Sequence, residues 1–337
     1  MVAGTATRRL PNDKTKDRVS LRRHIDHEDG VGASMNISQS RHDHHEEPSI
    51  ETFEPGILTH KIEEIALRAV TDSKAIQRSL PDVAAHVIEL CQLNTTDAAR
   101  VENTVGKDPF ISGQLVSVAN SAMFAPRVPI VGVRDAVVRL GIDNVCDIVM
   151  MIVSNSTMYR VKGFDLEVER LRKRGLAAAL AARAMSRLMR SDPADYAFLA
   201  GLMHDIGELV LLERCATVGK VTPEMMADEN EGPVIRATIA RLHTELGAAV
   251  CRIWKLPPSV VDSVLFHHNC RRGENRYLTT ALVAAADRIT DHMGLNGEPQ
   301  PLDVTAPLFT DLKLTADLVR AVVAETERTL PGLAFGH

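Results

Sequence analysis

From Ile57 onward the apolar residues of this chain recur at helical spacing and nowhere alternate over a strand-length run, which restricts it to helices packed on helices. Ile62, Ile65, Leu67 and Val70 mark a first amphipathic helix, and Leu80-Pro81 stops it, because proline disfavours helical backbone in the residue before it. Val83, Val87, Ile88 and Leu90 mark a second, ending near Asn94. Thr96 or Asp97 caps a short helix that closes at Gly106, and Asp108-Pro109 opens the next in cap-then-proline order. Two prolines make Ser121 to Pro129 a loop. Val133 to Leu140 then forms a helix turned off by Gly141, and Ile142 to Met158 one that is apolar nearly all round and therefore buried. The pattern continues with helices over Asp165 to Arg190, from Asp192-Pro193 to His204-Asp205, and over Leu209 to Leu212. Further helices are expected over Val234 to Leu242, Thr244 to Lys255, Pro258 to His268, Tyr277 to His292 and Ala316 to Leu330. Aromatics at 4% and abundant Ala, Leu and Val agree with an all-α bundle.

Residues 1–55 lack this period. They are polar, contain the His42-Asp43-His44-His45-Glu46-Glu47 cluster, and predict a disordered tail. The expected organisation is that tail, an N-terminal helical lobe over 57–160, and a second lobe with C-terminal helices over 161–332, with no Gly/Ser linker between the lobes. With 337 residues, 45% of them hydrophobic, the chain has enough material for a substantial core and a pocket. A net charge of -5 gives no overall field for nucleic acid or anionic lipid, so neither is an expected partner. The absence of a long apolar run and of an export signal predicts a cytoplasmic protein. Cys91, Cys146, Cys215, Cys251 and Cys270 lack CxxC spacing and read as reduced, structural thiols.

One segment carries chemistry. Gly201-Leu202-Met203-His204-Asp205-Ile206-Gly207-Glu208 sets an adjacent His and Asp at the end of an apolar helix. Helical neighbours point about 100° apart, so both reach one ion only from a cleft between helices. Asp287 ends the apolar run Leu282 to Ala286, where a surface charge is not expected, and His243, His267 and His268 add imidazoles on two further helices. Such nitrogen and oxygen donors converge on metals in helical bundles, and equally each can be a core residue with a satisfied hydrogen bond. Asn120, Ser121 and Phe124, at a helix end beside the loop, either cap backbone or meet a ligand, with capping the better reading. Arg139 and Asp143 dress a helix corner near Gly141.

Gly201 to Leu212 together with Asp287 resembles the HD phosphohydrolase superfamily. Asp108-Pro109-Phe110-Ile111 to Asn120-Ser121-Ala122-Met123-Phe124, Ala136-Val137-Val138-Arg139-Leu140-Gly141, Trp254-Lys255-Leu256-Pro257 and Phe266-His267-His268 resemble more narrowly its HDOD branch, the HD-related output domain of bacterial signalling proteins. The resemblance spans about 75–295. It implies an HDOD-type helical bundle in a bacterial cytoplasm and a regulatory role, frequently in cyclic-dinucleotide-linked signalling. It also implies metal ligands at His204, Asp205, His243, His267, His268 and Asp287.

Departures from that pattern shape the functional expectation. The resemblance places an early ligand histidine on the long helix before the His-Asp pair, yet no histidine lies between His86 and His204, and Arg174 stands in its place. A guanidinium is permanently protonated and has no lone pair to give. Glu208 stands where active relatives carry a phosphate-holding Lys, and the Gly-Tyr-Pro signature of cyclic di-GMP phosphodiesterases is missing. The sharper expectation pairs Arg174 with Asp205, Asp287 or both, as a substituting cation in a remnant site. The plainer one leaves Arg172, Lys173 and Arg174 on a solvated basic face. The expected function is a non-catalytic signalling module that binds partner proteins, with a nucleotide as a further ligand class, and needs no cofactor. The alternative is a metal-dependent HD-type phosphohydrolase using Fe, Mn or Zn on a nucleotide.

Overall fold

In the computed structural model the described residues are 55–71, 76, 80–93, 96–121, 124, 126–155, 161–188, 196–270 and 278–333, and they contain helices and no strand. The polar stretch 1–54, including the histidine-rich cluster, lies outside them, as does Asp192-Pro193. The first lobe comprises α1 (Pro55–Thr71), α2 (Asp82–Cys91), α3 (Ala98–Val105), α4 (Pro109–Ala119), α5 (Val133–Leu140) and α6 (Ile142–Asn155). Caps decide where these begin. Asp97 accepts from the Arg100 amide at 2.9 Å, and Asp108 accepts from Phe110 and Ile111 at 2.9 and 3.0 Å ahead of Pro109. Asn120 ends α4 and staples the following loop, donating to the Ile130 carbonyl and accepting from the Ile130 amide, both at 2.8 Å. Arg139 donates to the Phe124 carbonyl, fastening the same loop to α5.

Then follow α7 (Asp165–Leu188), α8 (Ala197–Met203), α9 (Ile206–Thr217), α10 (Pro223–Ala227), α11 (Glu231–Ile253), α12 (Pro258–Phe266) and a 3₁₀ turn at His267–Asn269. After them come α13 (Leu278–His292), α14 (Pro307–Asp311) and α15 (Ala316–Thr329). The alanine run of α7 is buried from Arg174 to Ala182, and its small side chains let α8 lie directly on it. A Cβ on Gly201 would come within 2.7 Å of the Ala178 carbonyl oxygen, so the crossing requires glycine. α9 and α11 cross as closely. A Cβ on Gly207 would sit 1.9 Å from the His243 carbonyl oxygen and 2.7 Å from the Gly247 amide.

Two expectations from the sequence need correction. The helices expected over Val234 to Leu242 and Thr244 to Lys255 are one uninterrupted element, α11. Pro233 sits in its first turn, where the missing amide is one that no carbonyl would have accepted. The short helices α10 and α14 were not anticipated. Each opens with proline at its first position, and Thr222 caps α10 by accepting from Met225 at 3.4 Å, the same cap-then-proline order that marks α4.

The described residues form one compact unit. A continuous apolar core runs from Leu58 on α1 through α6 and α9 to Leu333, and a second cluster packs α7, α13 and α15 together. Between α1 and α11, Arg241 pairs with Glu63 at 2.5 Å, and the buried Trp254 indole donates to the Ile76 carbonyl at 3.0 Å. No helix among the described residues is long and apolar enough to cross a membrane.

Candidate functional site

His204 and Asp205 occupy a break between α8 and α9 rather than a helix interior, and this solves the problem of pointing two neighbours into one cleft. Asp205 sits at the position that caps α9, yet its carboxylate makes no capping bond and turns into the bundle. Arg174 on α7, Asp287 on α13, His243 on α11 and His267 in the 3₁₀ turn reach the same point from four other elements, and all are buried. His268, beside His267, is half exposed and opens the cluster to solvent.

The cluster has two halves that share Asp205. In the first, the Arg174 guanidinium is 3% exposed, so it is not on a solvated face. It donates to Asp205 Oδ2 through one terminal nitrogen and to Asp287 Oδ1 at 2.5 Å through the other, with Asp291 Oδ1 3.6 Å away. Lys173 next to it is exposed and pairs with Glu169 on its own helix. His204 Nε2 lies 3.1 Å from Asp205 Oδ2 and 3.4 Å from Asp287 Oδ1, out of line for a hydrogen bond with either. Burial opposes charge on His204, but the Asp205 carboxylate overrides it and raises the imidazole to about 10. Burial likewise works to raise Asp287, and His204 with Arg174 instead holds it at about 2; Asp205 is held below the carboxylate range by the same two cations.

The second half is made of imidazoles. His243 Nδ1 donates to the Ala240 carbonyl at 2.6 Å and His267 Nδ1 to the Val264 carbonyl at 2.9 Å. A carbonyl only accepts, so in the neutral rings the lone pairs are on Nε2. Those two Nε2 atoms face each other at 3.3 Å, and His268 Nε2 lies 3.2 Å from that of His243. Burial depresses His243 to about 4 and lowers His268, so both of these rings favour the neutral form. Asp205 Oδ1 lies 3.4 Å from His243 Nε2 and 3.6 Å from His267 Nε2, buried and with no hydrogen-bond donor among the described residues. Glu208, in the first turn of α9, has its carboxyl pushed up to about 7 by burial and then by Asp205.

These halves answer differently to the metal that HD-type sites imply. Around Arg174 the donor set does not fit an ion, because the two carboxylates already hold a fixed cation with no lone pair. Around His243, His267 and His268 it fits: the imidazole lone pairs converge beside an orphaned carboxylate oxygen, and backbone carbonyls fix two of the tautomers. Every site residue expected from sequence is therefore in one cluster, while Asn120 and Phe124 serve the loop of the first lobe. Sequence reasoning treated Glu208 only as a repulsive charge, and its position one residue after the α9–α11 glycine contact was the signal that it belongs with His243. Asp291, one turn beyond Asp287, was missed as a second-rank neighbour of Arg174.

Comparison with known proteins agrees with this fold. A crystal structure from Geobacter sulfurreducens, described as an HDOD domain protein of unknown function, superposes with TM-score 0.57 at 20% identity, covering 76% of this chain and 90% of that one. A Shewanella amazonensis protein described as a candidate phosphohydrolase gives 0.56 at 19% identity over 82% and 96% of the two chains. A candidate signal transduction protein of Marinobacter aquaeolei gives 0.60 at 18% identity over 83% and 67%. At these identities the likeness is one of fold. An uncharacterised protein of Treponema pallidum is 22% identical over 258 residues, 74% of this chain and 47% of the relative, so the chain spans about half the length of that protein. The HDOD domain family model matches residues 78–270, more than half of the sequence and every residue of the cluster except Asp287 and Asp291, and the chain belongs to the HDOD family.

Proposed function

We propose that this chain is a regulatory, signal-transducing module that acts by binding a partner protein, with its HD centre reduced so that it does not carry out two-ion phosphodiester hydrolysis. The observation that carries this reading is the Arg174 bridge between Asp205 and Asp287. Two-ion sites clamp the attacking and leaving oxygens between metals. A guanidinium in one of those positions neutralises the carboxylates but cannot activate water. Membership of the HDOD family supports the regulatory role, and the candidate signal transduction protein of Marinobacter aquaeolei shares the fold. The test is turnover of cyclic di-GMP, linear dinucleotides and other nucleotides by purified protein supplied with Fe, Mn or Zn, alongside capture of bound proteins and nucleotides from a native cytoplasm. No hydrolysis above a metal-only blank, with a stoichiometric protein partner, is expected; robust hydrolysis overturns the reading.

A second reading, a metal-dependent phosphohydrolase acting on a nucleotide, is favoured by one observation, the convergent Nε2 atoms of His243, His267 and His268 beside Asp205. A divalent ion supplies Lewis acidity at such a site. On this reading Asp205 and the three histidines hold it, Arg174 and His204 anchor Asp205 from behind, and the exposed edge of His268 faces the entering phosphate.

A further inference from the structure

We propose that Cys91 and Cys146 are a site of reversible oxidation by peroxide, forming an intramolecular disulfide that ties the end of α2 to α6. The inference does not rest on the regulatory reading, because a bridge between two packed helices can form whatever the chain binds.

Placement of the two sulfurs is the first argument. Cys91 is the last residue of α2, and its thiol donates to the carbonyl of Ile142, the first residue of α6, at 3.6 Å. That carbonyl is the helical partner of the Cys146 amide, four residues on. Side chains on a helix lean toward its N-terminus, so Cys146 points back over the turn on which the Cys91 sulfur rests. The two thiols are hydrogen-bonded to each other. Cys91 gives its one proton to Ile142, so the bond between the sulfurs runs from the Cys146 S–H to the Cys91 sulfur. That bond, and after it burial, holds the Cys146 thiol well above its ordinary range.

Access is the second argument. Cys91 is half-buried and meets a dissolved oxidant, whereas Cys146 is 2% exposed and does not. An accessible thiol beside a buried second one lets the first oxidation product be captured before it is oxidised further. Cys215 and Cys251 are pushed up to about 12 by burial, but the groups that act on them are Lys61 and Arg252 rather than a second thiol. The chemistry then balances in two steps. The Cys91 thiolate attacks one oxygen of hydrogen peroxide, the O–O bond breaks, and the departing hydroxide takes up the proton that Cys91 released, leaving a sulfenic acid. The Cys146 sulfur attacks the Cys91 sulfur, the S–O bond breaks, and the hydroxyl group leaves with the Cys146 proton as a second water. Two thiols lose two electrons, one peroxide becomes two waters, and a dithiol reverses the bridge by exchange.

The bridge has a structural consequence. α6 packs on α2, α4 and α8, and α8 ends at Met203, directly before His204. Oxidation therefore fastens the element that lies between the first lobe's outer helix and the helix leading into the HD cluster.

The experiment uses the full chain, reduced, freed of reductant and treated with hydrogen peroxide. Remaining thiols are alkylated, and the chain is digested and read by mass spectrometry. Expected are loss of two of the five free thiols, one cross-linked pair joining the Cys91 and Cys146 peptides within a monomer, and recovery of both thiols with dithiothreitol. The urea midpoint of the oxidised chain is expected to exceed that of the reduced chain, and the difference to vanish in Cys91→Ser. Cys146→Ala, which removes the second sulfur alone, is expected to leave a sulfenic acid at Cys91 that dimedone traps. Cys91 that passes to sulfinic acid while Cys146 stays alkylatable overturns the proposal, as do two unreacted thiols, pairing with another cysteine, or a bridge between chains.

Discussion

A guanidinium does not dissociate as a metal ion does, so Arg174 commits its half of the cluster to one electrostatic arrangement. Its partners Asp205 and Asp287 are as deeply buried as it is, and removing one member of such a network strands the others. Arg174→Ala in metal-stripped protein is expected to lower unfolding stability by about 3–5 kcal/mol, read from urea titration followed by the single tryptophan, Trp254. Arg174→His, which offers a lone pair where there was none, is expected to raise bound Zn(II) by one ion per chain by elemental analysis. Titration gives an independent check on the same stripped protein. Glu208 is raised from 4.5 to about 7 by burial and by Asp205, so the folded state holds a proton that the unfolded state has released. Its contribution is therefore fully present below pH 4.5 and lost as pH rises through 7. His204, raised from 6.5 to about 10 by Asp205 against its own burial, keeps its contribution below pH 6.5 and loses it through 10. The depressed His243 and His268 raise stability with pH over the same window in both proteins, so urea midpoints of wild type are expected to fall relative to those of Glu208→Gln between pH 4.5 and 7; parallel curves for the two proteins would contradict the assignment. The identities of these residues were legible from their unusual places in the sequence, His and Asp after an apolar helix and Asp287 after an alanine run. Their pairing was open until Arg174 could be seen buried rather than on the face that holds Lys173.

At the scale of elements, two glycines decide which helices meet at the site. Gly207→Ala places a methyl 1.9 Å from a backbone oxygen of α11, and backbone cannot yield as a flexible side chain does. The expected cost is at least about 3 kcal/mol, the upper end for overpacking, with loss of metal binding because His243 and Asp205 are moved apart. Gly113 is the contrast. It lies mid-helix on the exposed side of α4 with nothing near its missing Cβ, so Gly113→Ala is expected to stabilise by about 0.5–1 kcal/mol in the same urea titration. Helix starts were readable where a side chain caps them, as at Asp97 and Asp108, because capping is a local interaction. Continuity of α11 was not readable. Pro233 and the polar stretch around His243 and Thr244 resemble a boundary, yet the helix runs through it with His243, Leu246 and Gly247 buried. The short helices α10 and α14 hold too few apolar residues to show a period, although their opening prolines mark them.

For the molecule as a whole, the core that runs from Leu58 to Leu333 ties both lobes into one packing unit, helped by Arg241 with Glu63 and by Trp254 with Ile76. Thermal unfolding of the metal-stripped chain is expected to be one transition, with equal calorimetric and van't Hoff enthalpies; two resolved transitions would show that the lobes at 57–160 and 161–332 unfold separately. The sequence by itself determined the all-helical class, the HDOD resemblance and the residues of the cluster, because periodicity, caps and motif order are written within short stretches of chain. Only the tertiary structure decided which cation the carboxylates hold, that the imidazoles of α11 and the 3₁₀ turn oppose their lone pairs, and that Glu208 stands beside them. Those facts depend on distances between helices far apart in sequence, set by glycine contacts and buried packing to within a few tenths of an ångström, and no local pattern encodes such a distance.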